Sequence, residues 1–299
     1  MRTKVQGGAF MKIVGFEGDD GLRLGVAEGD VVIDLHAVDA NLPRDLAEVL
    51  RLGSLGTLGD IAREAPDTAR RPLAGLKFGL PIAKPGKIIC LGLNYLDHVK
   101  EGPQRDNIPK YQSIFFRMLT SLTPAGQPLM RPKKSVQLDY EGEMVVIIGK
   151  RAKHLTLENA VDCVAGYTCG NEGSVREYQR HTTQWGMGKN FDRTGSVGPW
   201  LVTADELPRG GKGLKIETRL NGKTMQSSNT DHFMFPVAES LVYLTEGITL
   251  EPGDMLFTGT PSGVGHARKP EPVWMKAGDI VEVEIQGIGV LRNPVEDEK

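Results

Sequence analysis

Cysteine is scarce: Cys90, Cys163 and Cys169 are the only three in 299 residues. An odd number, widely spaced and without a C-x-x-C pair, leaves neither a disulfide framework nor a zinc knuckle, and points to a reducing, cytoplasmic setting. An excess of one charge is also lacking. Lys and Arg number 36 against 38 Asp and Glu, a net charge of −2, so no basic face is expected for nucleic-acid phosphates or for an anionic membrane surface. No apolar run approaches the ~18 residues of a membrane-spanning helix. Residues 1–10 have no apolar stretch of the secretory kind and read as a flexible extension. The phosphate-binding P-loop, the dinucleotide G-x-G-x-x-G and the nucleophile elbow G-x-S-x-G are all missing, so neither a nucleotide or other organic cofactor nor an activated serine is expected.

Turns, by contrast, are plentiful, with 37 Gly and 18 Pro. Short β-rich runs at Lys12–Phe16, Leu22–Val26 and Val31–Asp34 precede helix-like stretches at Asp45–Leu50 and Gly59–Arg63. A Pro-rich connector, Leu80–Gly86, suggests a boundary between a small N-terminal α+β domain, 1–82, and a catalytic domain, 83–299. Beyond it, Ile88–Leu91, Ser113–Phe116, Asp139–Ile148, Gly166–Cys169, Leu214–Leu220, Asp254–Thr258 and Asp279–Ile285 read as strands. Thr156–Val161, Ser174–Gln184 and Pro236–Thr245 read as helices. Helices and strands do not alternate regularly, which argues against a barrel of βα units or a doubly wound sheet and for a β-rich α+β fold.

Chemistry concentrates in a few segments. Glu141 and Glu143 stand two apart in an apolar strand and so share a face. Two buried carboxylates side by side repel and are costly to desolvate; a hard cation relieves both costs, and a strand end reaching solvent is the other reading. Glu172, at a strand-to-helix junction, is a third oxygen donor or an acidic residue favoured by a helix start. His98 and Glu101 are three apart, so in a helical turn the carboxylate orients the imidazole as a general acid/base. Gly102–Lys110, polar with two prolines, has the length of a mobile lid. Lys189 lies in Gly186–Phe191, whose glycines allow a close approach to a carboxylate or enolate. The Gly-rich run Thr258–Gly265 offers hydroxyls and amides to a small anion. His36, His154, His181, His232 and His266, with Trp185, Trp200 and Trp274, read as structural or packing residues.

Together these segments resemble the fumarylacetoacetate hydrolase family from about Pro85 to Pro294. The family's G-x-N-Y-x-x-H-x-x-E stands here as Gly92–Glu101 and its E-x-E as Glu141 and Glu143. N-D-x-S-x-R-[DE]-x-Q stands as Asn171–Gln179 with Glu in place of Asp, G-K-x-F-D as Gly188–Asp192, and T-G-T-P-x-G-V-G as Thr258–Gly265. The resemblance implies an FAH-type mixed β-roll, a homodimer, and one Mg²⁺ or Mn²⁺ per subunit held by Glu141, Glu143 and Glu172. It implies catalysis by His98, Glu101 and Lys189, and a 2-oxo acid substrate bound by Tyr95, Arg176, Gln179 and Thr260. Arg117 stands near where many members have Lys, which bears on substrate shape. The reaction expected is hydrolysis of a C–C bond in a 2,4-dioxo acid of the acylpyruvate or fumarylacetoacetate type, in a catabolic role. The alternatives on the same site are an oxaloacetate-type decarboxylase and a 2-oxo-acid isomerase. A non-catalytic binding module has no need of the His98–Glu101 dyad.

Overall fold

The computed structural model describes residues 11–102 and 106–299; the 1–10 extension and Pro103–Arg105 of the expected lid lie outside the described residues. Among those residues, strands dominate and form two main sheets, as the composition of short β runs and turns implies. The larger sheet has eleven strands. Its spatial order runs Arg70–Pro72, Val31–Asp34, Gly21–Glu28, Lys12–Gly18, Gly195–Thr203, Val164–Asn171, Gly142–Ile148, Met255–Phe257, Ile88–Gly92 and Ser113–Phe116. Leu122–Pro124 joins it in parallel beside Gly195–Thr203. Most pairs are antiparallel, but Met255–Phe257 runs parallel to Ile88–Gly92, so the sheet is mixed. The second sheet has five strands, Lys223–Asn229, Lys215–Leu220, Ile280–Ile285, Gly289–Asp297 and Leu129–Arg131.

Strand Gly142–Ile148 is buried along its whole length. Its alternation serves two cores. Met144, Val146 and Ile148 pack with Ile216, Val283 and Ile285 of the second sheet and with Leu241 and Leu244 of the helix Val237–Gly247. Val145 and Ile147 pack on the other side with Ile13, Leu46, Leu50 and Phe257. A strand covered on both faces reads as a continuous apolar run, which is what the sequence has here. The helix Leu46–Arg51 starts where Asp45 caps it by accepting from the Ala47 N–H at 3.1 Å, and it buries Leu46, Ala47, Val49 and Leu50 in this second core.

Residues 11–82 attach to the rest through backbone pairing: Lys12 and Ile13 register with Val202 and Leu201, so the N-terminal strands extend the same large sheet. Other elements differ from their sequence reading. The expected helix Ser174–Gln184 is a two-residue strand, Ser174–Val175, followed by a single turn, Arg176–Gln179. Arg176, the first residue of that turn, points inward to Asp139 and Glu141, and a second short helix, Gly186–Lys189, brings Lys189 to the same Glu141. The expected helix at Thr156 begins later, as a 3₁₀ turn over Ala160–Cys163. Asn159 reaches back to accept from the Thr156 N–H at 2.9 Å, spending its side chain on the turn that precedes it.

Candidate active site

A cavity of about 130 Å³ opens at the C-terminal end of strand Ile88–Gly92 and beside the start of strand Gly142–Ile148. Its walls bring together His98, Glu141, Glu143, Glu172, Arg176, Gln179, Lys189 and Thr260. These come from five separate segments, delivered by strand ends and by the short helices Leu96–Glu101, Arg176–Gln179 and Gly186–Lys189.

Glu141, Glu143 and Glu172 are buried, and one carboxylate oxygen of each lies within 4.8 Å of the others. The i, i+2 spacing supplies the first two, and the antiparallel partner strand Val164–Asn171 supplies the third: the Glu172 N–H donates to the Glu141 carbonyl at 2.8 Å. Glu172 Oε1 is buried without a hydrogen-bonding partner among the described residues. Burial, together with the Glu172 and Glu141 charges, pushes the Glu143 carboxyl well above the usual carboxylate range. Three converging buried carboxylates, one with an unused oxygen and one that resists ionisation, fit a hard divalent cation.

Lys189 Nζ donates to Glu141 Oε2 at 2.8 Å and to Glu172 Oε2 at 2.9 Å. Burial opposes its charge, but the two carboxylates outweigh burial and hold the ammonium protonated above the usual lysine range. Glu141 is held below its usual range in turn: burial opposes ionisation, and Lys189 and Arg176 overcome it. Arg176 is anchored by Asp139, whose Oδ2 accepts from its Nε at 2.7 Å, and by Glu141 at 2.6 Å; its Nη1 also donates to Gln179 Oε1 at 2.8 Å. Its other terminal nitrogen, Nη2, is buried with no partner among the described residues. A guanidinium fixed on two sides with one donor free is preorganised for a ligand carboxylate.

His98 sits in the short helix Leu96–Glu101, and its Nδ1 is 2.7 Å from Glu101 Oε1. The carboxylate fixes the ring so that the other nitrogen, Nε2, is the one available to substrate. The segment before the helix is clamped by Asn94. Its amide donates to the carbonyls of Thr258 at 2.7 Å and Phe235 at 3.1 Å, and its oxygen accepts from the Phe235 N–H at 2.7 Å.

The loop Thr258–Gly265 is tied to each part of this site by glycine amides. The Gly259 N–H donates to Glu143 Oε2 at 2.7 Å, the Gly263 N–H to Glu101 Oε2 at 2.9 Å, and the Gly265 N–H to Asp139 Oδ1 at 2.7 Å. Thr260 faces the cavity with its hydroxyl donated to the Gly142 carbonyl at 2.9 Å.

Four residues stand elsewhere than the sequence reading placed them. Tyr95 does not line the cavity: it is fully buried, edge-on to Phe233 with ring centroids 5.0 Å apart. It stands at the N-cap of the helix Leu96–Glu101 with its ring in the core, and its hydroxyl is buried with no hydrogen-bonding partner among the described residues. Arg117 is also buried behind the site, donating to the Gly173 carbonyl at 3.1 Å and to Ser121 Oγ at 3.1 Å, and so braces the backbone next to Glu172. His266 and Trp185, read as packing residues, line the cavity wall. Asp139, which no motif singled out as functional, is the residue that holds Arg176; burial opposes its ionisation, but the Arg176 charge and the hydrogen bonds from His266 and Arg176 outweigh burial and hold its carboxyl below the usual range.

A family model described as fumarylacetoacetate (FAA) hydrolase C-terminal matches residues 87–296. The chain is 39% identical over 279 residues to the oxaloacetate tautomerase Fahd2a, mitochondrial, of Rattus norvegicus, covering 92% of this chain and 86% of that protein. It superposes with a TM-score of 0.84 on the fumarylacetoacetate hydrolase EaFAH of psychrophilic Exiguobacterium antarcticum, at 34% identity, covering 96% of this chain and all of that one. It superposes with a TM-score of 0.79 on the maleylpyruvate hydrolase of Sphingobium sp. SYK-6, solved with manganese(II) and pyruvate, at 27% identity over 97% of this chain.

Proposed function

The chain belongs to the fumarylacetoacetate hydrolase family, and within it we propose that the protein is a metal-dependent isomerase, interconverting the enol and keto forms of an oxaloacetate-like 2-oxo acid. The observation that carries this choice over C–C hydrolysis is the 39% identity, along nearly the full chain, to a protein named as an oxaloacetate tautomerase. The isomerase alternative raised by the sequence therefore replaces the hydrolase as the main reading. The chemistry of the site is consistent with it, since one oriented imidazole suffices to move one proton.

Glu141, Glu143 and Glu172 are the residues that would hold the cation, Mg²⁺ or Mn²⁺. When bound it supplies Lewis acidity toward the 2-oxo oxygen and the adjoining carboxylate oxygen of the substrate. The free Nη2 of Arg176 and the Gln179 amide hold that carboxylate and set the orientation of the chain. Lys189, charged and in the same wall, stabilises negative charge as it develops on the 2-oxo oxygen. His98 Nε2 then takes the proton from C3 and delivers it to that oxygen, or carries it the other way. A C–H bond breaks and an O–H bond forms, no water is consumed and no carbon–carbon bond is cut. Glu101 keeps the Nδ1 side of the ring occupied and steadies the imidazolium while it carries the proton.

A homodimer and a reducing compartment complete the proposal. Phe116 and Met118 are 51% and 65% exposed at the Ser113–Phe116 edge of the large sheet, an apolar edge that a second copy would cover. The three buried free thiols suit cytoplasm and mitochondrial matrix equally.

Incubating the Mn²⁺-loaded protein with enol oxaloacetate, oxaloacetate and acetylpyruvate in separate reactions tests the reaction. The expected result is accelerated ketonisation and accelerated deuterium exchange at C3, both lost in His98→Ala. Faster cleavage of acetylpyruvate than ketonisation would restore the hydrolase reading, which the likeness to maleylpyruvate hydrolase supports. Pyruvate released from oxaloacetate at the ketonisation rate would point instead to the decarboxylase.

A further inference from the structure

Among the described residues, the cavity wall contains one cation that the chemistry above leaves unused. Arg180 lines it and is exposed. It lies four residues after Arg176, across a helical turn whose end residue keeps helical backbone angles, so the two guanidiniums emerge on neighbouring positions of one face. Their circumstances differ. Arg176 is buried and committed to Asp139 and Glu141. The Arg180 guanidinium makes no hydrogen bond or ion pair among the described residues. An arginine with no partner on a cavity wall, beside a second arginine already locked in place, gains nothing for the fold; the repulsion between the two is unfavourable unless an anion comes between or beside them.

Donors for an anion therefore stand at two places on the cavity wall. One is the inner end, where Arg176 Nη2, Gln179, Lys189 and the three-carboxylate centre converge. The other is the outer wall, where Arg180 stands. A 2-oxo acid with a single carboxylate uses only the first. We propose that Arg180 is the specificity-determining residue that reads a second, distal carboxylate, so that the protein takes 2-oxo dicarboxylates in preference to monocarboxylates. The proposal rests on the reading of the site as one for 2-oxo acids, and it assigns the outer wall of that site. Guanidinium suits the role because it binds a carboxylate through two parallel N–H donors, which adds direction as well as charge.

The test uses a pair of unreactive ligands that differ only in the distal group, malate and lactate, titrated by calorimetry into the Mn²⁺-loaded protein at fixed free Mn²⁺. Both carry the 2-hydroxy carboxylate that the inner end would hold. Wild type is expected to bind malate at least tenfold more tightly than lactate, a difference of about 1.4 kcal/mol. Arg180→Gln is expected to abolish that preference while lactate affinity stays within twofold, and Arg180→Lys to keep part of it. Arg180 is exposed, so neither substitution removes core contacts. Equal binding of the two ligands by wild type, or a preference for malate that survives Arg180→Gln, overturns the proposal. Because neither ligand turns over, these outcomes are independent of whether the reaction is tautomerisation, decarboxylation or hydrolysis. A failure of the reaction assay with an intact Arg180-dependent preference would overturn the isomerase and leave the dicarboxylate selectivity standing.

Discussion

Replacing Glu101 by Gln removes a charge and one acceptor while keeping the shape of the side chain. Glu101 uses both of its oxygens: Oε1 faces His98 Nδ1 at 2.7 Å and Oε2 accepts from the Gly263 N–H at 2.9 Å. A glutamine has a single acceptor oxygen, so one of those two donors must lose its partner. If the amide oxygen stays on Nδ1, the NH₂ group faces the Gly263 N–H; if it turns, the imidazole is held by a donor and its tautomer inverts. The side chains of His98 and Glu101 are 12% and 19% exposed, so solvent replaces the lost partner only in part. A charge-assisted hydrogen bond of this kind is worth roughly 1.5–3 kcal/mol. At about 1.4 kcal/mol per decade, kcat should fall about 10- to 150-fold. His98→Ala, which removes the group that carries the proton, should cost about 10²–10⁴-fold. The double variant should be no slower than His98→Ala alone, because Glu101 acts only through the ring. Ketonisation of enol oxaloacetate, followed by loss of enol absorbance at saturating Mn²⁺, gives kcat and KM; titration calorimetry should show Mn²⁺ affinity unchanged in all three. A loss under threefold in Glu101→Gln would refute the orienting role. So would a double variant markedly slower than His98→Ala, since Glu101 would then act on the substrate by itself.

Further outcomes follow from the same geometry. Glu143→Ala should weaken Mn²⁺ binding at least 100-fold by calorimetry, whereas His98→Ala should not, because only the former belongs to the buried carboxylate set. Asp139→Ala should destabilise the fold by about 3 kcal/mol in urea unfolding, since it strips a buried guanidinium of one of two carboxylate partners. His36 is buried, with Nδ1 accepting from the Leu24 N–H at 3.2 Å and Nε2 3.2 Å from the Leu42 carbonyl. Burial holds its pKa below the ordinary 6.5, so the folded state binds fewer protons than the unfolded one below that pH. Stability from this group is present above about pH 6.5 and is lost as pH falls toward the depressed folded value; the fall in urea stability between pH 7.5 and 5.5 should be smaller in His36→Gln than in wild type. Light scattering after gel filtration should give about twice the 32.6 kDa chain mass, and Phe116→Glu with Met118→Glu should shift it to the monomer.

The parts of the site that were legible in the sequence are those set by local periodicity. Glu141 and Glu143 follow from the two-residue period of a strand, and His98 with Glu101 from the turn of a helix. Glu172 and Lys189 were legible through the family's motif order, because nothing local says that they meet Glu141. Asp139 was hidden for a different reason. It reads as the polar start of an apolar strand, and its partners Arg176, Gly265 and His266 lie 37 to 127 residues away. Backbone donors carry no side-chain signature at all, so the contacts of Gly259 and Gly263 could not be read from their identity. Tyr95 shows the converse limit: a motif position fixes which residue stands there but not whether its ring faces the cavity or the core. In the fold, strands bounded by Gly and Asp were placed well, whereas the expected helix Ser174–Gln184 resolves into a two-residue strand and a single turn that sends Arg176 inward to Asp139 and Glu141.

The three amides that hold Glu143, Glu101 and Asp139 belong to glycines, and this shapes how the loop tolerates variation. No ordinary substitution deletes an amide, so the hydrogen bonds themselves are beyond the reach of most point changes. The space around them is not. A Cβ at Gly259 would lie 2.7 Å from Asn94 Cβ, one at Gly263 2.3 Å from the Met225 carbonyl oxygen, and one at Gly265 2.0 Å from the Val273 carbonyl oxygen. Gly259 and Gly263 also hold φ near +92° and +98°, where side-chain-bearing residues are strained. In a saturation library of Thr258–Gly265, alanine at these three positions should therefore be nearly as damaging as proline. Ser262, whose hydroxyl reaches only the exposed Asp97, should accept most residues. A stretch without a single charged side chain would then rank among the least permissive in the chain, with much of its intolerance at three sites that carry no functional group and the rest at the buried hydroxyls of Thr258 and Thr260.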